Sequence, residues 1–514
     1  MESMINNLSI GFGAVFALEP ATIFGITFSI PMNIVYAFFG CFIGTMIGVL
    51  PGLGPVPTIA LLLPTTYVLP PLGGLIMLSG IYYGAQYGGS TTAILVNLPG
   101  ETSSVATCLD GHQMARRGRA GVALTTAAVG SFFAGCVGTL LLAAFAVPLA
   151  GLAYKFGPWE YFSLMVLGLV GAIALANGSL VKALCMILVG LILGVVGTDV
   201  NTGVSRYTFG SGHLSDGIDF VAIALGVFGF AEIISNLEKT QSQSVFSSKV
   251  STLFPTRDDI KRMIAPILRG TALGSVVGIL PGAGASLAAF SSYALERKLS
   301  KNPDEFGKGA IEGVAGPESA NNACAQTSFI PLLALGIPPT AVMALLVGAM
   351  MVHNITPGPQ VMSSNPTLFW GLVVSMWVGN LMLVILNLPL VGIWVKFLSI
   401  PYRFLFPTIL VFSCIGVYSI NNSAFDLILT AVFGAVGYLF RKLDVQPAPL
   451  LLGFVLGPMM EEHFRRALLL SEGQYSAFVT RPISAGLLIT AAIFVIVVAL
   501  PALRKKREVV FQEG

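Results

Sequence analysis

Apolar runs follow one another down the whole chain, at 34–50, 73–96, 122–152, 160–178, 180–197, 218–236, 264–280, 327–350, 367–398, 403–420, 424–440 and 483–502. A bilayer core of about 30 Å takes roughly 20 mostly apolar helical residues to cross. Runs at 8–18, 57–70, 283–295 and 446–459 are apolar but shorter, while 122–152 and 367–398 are long enough to tilt or to hide a second short helix. Only 10% of the 514 residues are charged, against roughly 25% in a soluble domain. The chain is therefore predicted to be an all-α polytopic membrane protein with about 10–12 transmembrane helices plus two re-entrant hairpins.

Glycine and proline interrupt the apolar runs themselves. Broken backbone at membrane depth is tolerated only where protein or a water-filled cavity satisfies it, which points to a cavity. One such break is duplicated. Residues 40–54, GCFIGTMIGVLPGLG, align without gaps on 270–284, GTALGSVVGILPGAG, with Gly40, Gly44, Gly48, Leu50, Pro51, Gly52 and Gly54 matched by Gly270, Gly274, Gly278, Leu280, Pro281, Gly282 and Gly284. A looser echo pairs LPG at 98–100 with IPP at 337–339.

Basic residues orient the two halves, because cytoplasmic loops collect Lys and Arg. Residues 1–115 contain neither, and Arg116, Arg117 and Arg119 then arrive together. In the second half Arg257, Lys261 and Arg262 precede the first motif and Arg297, Lys298, Lys301 and Lys308 follow it, whereas 309–395 has no basic residue. Opposite charge around matching motifs predicts an inverted-topology repeat, a plan common among secondary transporters. The expected organisation is a first half over 1–236 with a hairpin near 35–66 and a cytoplasmic linker over 237–262. A second half over 263–503, with a hairpin near 264–295, and a cytoplasmic tail over 504–514 complete it.

The glycines repeating every fourth residue form a face suited to close helix packing. The Pro-Gly-x-Gly tips differ: proline ends the helix and glycine leaves N–H and C=O groups free for a ligand, although a plain turn uses the same residues. The densest polar set is Glu318, Ser319, Asn321, Asn322, Gln326, Thr327 and Ser328, answered by Gln86, Ser90, Thr91, Thr92 and Asn97. Such residues within membrane segments are costly and commonly functional, and interhelical hydrogen bonding is the plainer reading. Glu318 fits a proton carrier or the edge of a loop. Asp199 and Asn201 fit a solvated loop better than an entrance.

Enzyme readings find little support. There is no G-x-S-x-G elbow, Gly307-Lys308 lacks the upstream glycine of a phosphate loop, and the only aspartates near membrane depth, Asp199 and Asp426, lie far apart in sequence. The cysteines occur singly and the four histidines, expected at the surface, show no ligand spacing. The 27 Lys and Arg nearly balance the 24 Asp and Glu, which argues against a nucleic-acid partner. The N-terminus lacks the pattern of a cleaved signal peptide, so the first apolar segment is expected to remain.

Together with the two tips, LVNLPGETSSVATCLDGHQMARRGRAG (95–121), GTDVNTGVSRYTFG (197–210), PESANNACAQTSFIPLLALGIPP (317–339) and ITPGPQVM (355–362) make the chain resemble the large membrane subunit of the tripartite tricarboxylate transporters. The likeness covers nearly the whole length. It departs at Pro339, where the family typically has glycine. The resemblance implies a bacterial inner-membrane uptake system with a small membrane subunit and a periplasmic solute-binding protein that delivers the carboxylate substrate. A sodium (Na+) or proton gradient would drive it, with no cofactor, and the C-terminus would be cytoplasmic.

Within that frame the expected substrate site comprises Pro51, Gly52, Gly54, Thr58, Pro99, Gly282, Gly284, Ser286, Pro338 and Thr340, offering backbone N–H groups and hydroxyls at helix ends. The expected cation site comprises Asn97, Glu318, Asn321 and Asn322, with sodium as the possible metal and carbonyls freed at the tips as further ligands. Neutral ligands suit an anion that must leave again. A stand-alone permease or channel without a binding protein is the alternative, and a membrane scaffold without transport is a third.

Overall fold

The computed structural model describes residues 2–23, 26–50, 54–175, 179–199, 201–238, 253–397 and 402–499. Pro51, Gly52 and Leu53 of the first tip, most of the 237–262 linker and the 504–514 tail lie outside them.

Among the described residues the chain is mostly helical, with two small antiparallel hairpins, Glu19–Ile23 with Ile26–Ile30 and Gly197–Thr198 with Ser205–Arg206. Among the described residues, four helical segments are long and apolar enough to cross a bilayer: Thr102–Ala153, Arg257–Ile279, Pro366–Asn387 and Ala424–Lys442. Shorter apolar helices, Met32–Gly48 and Leu180–Gly194 among them, accompany these. The architecture is that of an all-α polytopic membrane protein.

The expected boundaries change in places. Ala120–Ala153 is one continuous helix of 34 residues despite Pro148, whereas 367–398 divides into Pro366–Asn387 and Val391–Phe397. The run expected over 327–350 is broken: Phe329–Leu335 ends at Gly336, whose φ of 76° suits glycine, and Ala341–Val352 begins after Pro338 and Pro339. The short run at 446–459 belongs to a longer helix, Ala448–Leu470. His112, His353 and His463 are partly buried rather than surface residues, and His112 Nδ1 lies 3.1 Å from the Ile94 carbonyl.

Two helices form the centre. Pro71–Val96 is buried continuously from Gly73 to Leu95, and Glu312–Thr327 from Gly313 to Thr327. Each is approached by the glycine face of an earlier helix in its half, Met32–Gly48 or Arg257–Ile279. A Cβ added at Gly40, Gly44 or Gly48 would run into the backbone of Met77, Ile81 or Ala85, and one at Gly270, Gly274 or Gly278 into Gly316, Ala320 or Cys324. Both series advance four residues at a time on both helices, which is close backbone packing along one seam. The glycine periodicity is thus a packing feature in both halves.

At one end of the bundle Arg119 forms an ion pair with Asp259, the capping-box residue of Arg257–Ile279, whose N-cap is Thr256. The basic cluster of the first half and the start of the second half's glycine helix therefore share an end.

Candidate functional site

The two breaks are built alike. Pro71–Val96 ends in the left-handed Asn97 (φ 59°) and Phe329–Leu335 in the left-handed Gly336. Four positions on, Glu101 (φ −143°, ψ 167°) and Thr340 (φ −138°, ψ 166°) are N-caps of the helical segments that follow. Gly54 and Gly284, matched in the two tips, have φ of 48° and 65°. Each tip is tied to the break in its own half: Gly54 N–H donates to the Gly100 carbonyl at 3.2 Å, and Gly282 N–H to the Pro339 carbonyl at 2.7 Å. Pro339 serves here through its carbonyl, so the missing N–H costs this contact nothing.

The halves also meet each other. Thr102 Oγ1 lies 2.7 Å from Ser286 Oγ, two residues past Gly284 in the second tip. Asn321 Nδ2 donates to Glu101 Oε1 at 3.3 Å, and the Ser103 hydroxyl bonds the same carboxylate. Gly54, Gly100, Glu101, Thr102, Ser286 and Asn321 thus form one continuous region between a tip of each half.

Among the expected substrate residues, Thr58 is fully buried and gives its hydroxyl hydrogen to the Gly54 carbonyl at 2.6 Å. Ser286 is half-buried, and Pro99 is partly exposed. Pro338 is buried, while Thr340 accepts from the Met343 N–H at 3.3 Å. Gly282 is held against the Pro158–Leu175 helix, where an added Cβ would lie 2.6 Å from Ala172 Cα; Gly284 faces open space. Pro51 and Gly52 lie outside the described residues.

The expected cation residues separate. Asn97 is exposed at its helix end. Asn321 turns toward Glu101, and its Oδ1 is buried without a hydrogen-bond partner among the described residues. Glu318, inside its helix and 1% exposed, belongs to a different cluster: Ser90 Oγ donates to Oε2 at 2.8 Å, Ser131 Oγ lies 3.4 Å from Oε2, and the Thr107 hydroxyl bonds Oε1. Asn322 Nδ2 donates to Ser131 Oγ at 2.7 Å and to the Glu318 carbonyl at 3.1 Å.

Glu101, Thr102 and Ser131 are not among the expected site residues, nor are Tyr87 and Asn387, which line a small cavity with Ser90, Ser131 and Glu318. Glu101 was within reach, since extending the LPG and IPP match by one residue pairs it with Thr340. Ser131 and Asn387 carry no comparable signal, because their helices join the site only through packing.

The match between this chain and known proteins runs along the same segments. The family model of the tripartite tricarboxylate transporter TctA family matches residues 34–452, which takes in both tips and both breaks. The chain belongs to the tripartite tricarboxylate transporter TctA family. Over 513 residues it is 58% identical to an Agrobacterium vitis protein described as "Uncharacterized 52.8 kDa protein in TAR-I ttuC' 3'region", covering 100% of both chains. A second Agrobacterium vitis protein, "Uncharacterized protein in TAR-II ttuC' 3'region", is 61% identical over 240 residues, 47% of this chain and 99% of its own. No solved structure matches the chain. As a member of the TctA family the chain is a multi-pass membrane component of a tripartite transporter, a class that moves solutes rather than transforming them.

Proposed function

We propose that the chain is the large transmembrane subunit of a binding-protein-dependent secondary transporter that imports tricarboxylates, such as citrate, or related carboxylates across a bacterial inner membrane. A small membrane subunit and a periplasmic solute-binding protein complete the system, and a sodium or proton gradient drives it. Family membership supports this reading. The observation that carries it furthest is the meeting of the halves at Thr102 and Ser286. Around that contact lie hydroxyls and helix N-termini, which favour anions. The Gly284–Leu299 helix starts there, beside the Ser286 hydroxyl. Neutral donors bind a carboxylate without the grip of a buried arginine, as a carrier requires.

The two halves are related as an inverted repeat, and one repeat-built core moves against the remaining helices to alternate access. The Arg119 ion pair with Asp259 supports this orientation, since it brings the end of the first half's second motif beside the start of the second half's first motif. Arg504, Lys505, Lys506 and Arg507 favour a cytoplasmic C-terminus.

The test is uptake in proteoliposomes containing both membrane subunits and the binding protein, with the carboxylate that the binding protein retains. Cation-gradient-dependent uptake is expected, and Ser286→Ala and Asn321→Ala, both in the region where the halves meet, should reduce it. Wild-type uptake in both variants would remove this site assignment; uptake without the binding protein would favour a stand-alone permease.

A further inference from the structure

We propose that Glu318, Tyr87, Ser90, Ser131 and Asn387 form a binding site for a single sodium ion. This deepens the transporter reading, on which it rests, by placing the coupling ion away from the tips.

The five side chains line a cavity of about 10 Å³. That is about the room one water-sized body needs. They come from four helices: Tyr87 and Ser90 from Pro71–Val96, Ser131 from Ala120–Ala153, Glu318 from Glu312–Thr327 and Asn387 from Pro366–Asn387. The site therefore joins the two halves of the chain.

Among the described residues, two of its oxygens have no partner: Tyr87 Oη and Asn387 Oδ1 are buried without a hydrogen bond, and both residues are only 4% exposed. The Asn387 amide is fixed in this sense, because Nδ2 donates to the Leu383 carbonyl at 3.0 Å and lies 3.4 Å from Thr45 Oγ1. A flipped amide would set oxygen against that carbonyl. Ser131 is similarly oriented: it accepts from Asn322, which leaves its own hydrogen for Glu318. Buried polar atoms of native proteins almost always have a partner, so these unspent oxygens around one small cavity point to a guest.

Charge selects the guest. The cavity lining contains no Lys, Arg or His. Among the described residues, the titratable groups that interact with Glu318 across these helices are Glu101, Tyr87 and Cys108, none of them cationic. Water would satisfy the free oxygens but leave the carboxylate without a counter-charge, and a proton would neutralise the carboxylate but leave the oxygens unmet. A sodium ion does both. One carboxylate among neutral oxygens matches a monovalent ion, whereas calcium sites draw on six to eight oxygens and commonly several carboxylates.

The experiment is binding of radioactive sodium-22 to the purified full chain in detergent at fixed pH, with unlabelled sodium, potassium or choline chloride as competitors. Saturable binding displaced by sodium alone is expected. Glu318→Gln should abolish it, and Asn387→Ala and Tyr87→Phe should each weaken it by about tenfold or more, with circular dichroism and gel filtration showing folded protein. If Glu318→Gln does not fold, the other two variants decide. Absence of saturable binding to wild type overturns the proposal, including the case where only pH alters its stability and Glu318 carries a proton beside a water. Undiminished binding in the variants also overturns it. Sodium binding without carboxylate uptake would sink the transport reading alone, and gradient-driven uptake without sodium binding would sink this site alone.

Discussion

Glu101 and Thr340 hold the same place in the two halves of the chain, each an N-cap with nearly superposable backbone angles at the end of a broken segment. They differ in chemistry: Thr340 receives a backbone N–H, whereas the Glu101 carboxylate also reaches Asn321 across the halves. Thr340→Ala should therefore cost about 1 kcal/mol of stability while Thr340→Ser costs little, measured by thermal unfolding in detergent. Glu101→Ala should reduce uptake by more than either.

The Thr102 and Ser286 hydroxyls, 2.7 Å apart, offer a direct probe of relative motion. In a Thr102→Cys, Ser286→Cys double variant, mild oxidation should cross-link the two halves and stop uptake, with recovery on reduction. Full uptake in the cross-linked protein would mean that these segments stay together through the cycle.

The two glycines of the second tip should respond differently to substitution. Gly284→Ala meets only the left-handed backbone at φ 65° and should cost about 1–2 kcal/mol. Gly282→Ala adds a collision with Ala172 and Gly171 to its own φ of 79°. It should lower the unfolding temperature further than Gly284→Ala does.

Steric closure along the glycine seams predicts a stronger effect. Gly44→Leu and Gly274→Leu would each force apart a central helix and its neighbour, and folded protein should fall to a small fraction of wild type in fluorescence size-exclusion profiles. Gly486→Leu, where nothing lies within 4 Å of the added Cβ, should behave as wild type.

Topology is checked by labelling. Arg117 and Lys261 are exposed, one after the first half's second motif and one before the second half's first motif. With the inverted arrangement, Arg117→Cys and Lys261→Cys should both react with a membrane-impermeant maleimide in inside-out vesicles and neither in right-side-out cells. Reaction from opposite faces would exclude it.

The loop after Leu180–Gly194 carries an acid-sensitive lock. Asp199 is held down to about 2, from an ordinary 3.8, by the Thr202 hydroxyl, the Asn201 N–H and Arg465. A lowered value means that its contribution is complete above the ordinary carboxylate range and lost as pH falls toward 2. Pepsin cleavage within 197–210 should accordingly rise across that window in the wild type, and Asp199→Asn should already be open at its upper edge.

Hydrophobic length, the glycine series and the prolines determined a great deal unaided: helices throughout, a duplicated break and close packing at Gly40, Gly44 and Gly48 and their partners. These are local properties, since span length, helix-breaking and the absence of a Cβ act wherever the residue sits. Tertiary structure alone decided which polar groups meet. Glu318 faces Ser90, Thr107 and Ser131 from three other helical segments, Asn387 lines the same small cavity with Glu318, Ser90 and Ser131, and Asn97 is exposed instead of joining them. Each successive helical residue points about 100° further around the axis, so which polar side chain faces which depends on how the helices are rotated against one another. That rotation is fixed by packing along the seams, and no single segment of sequence contains it.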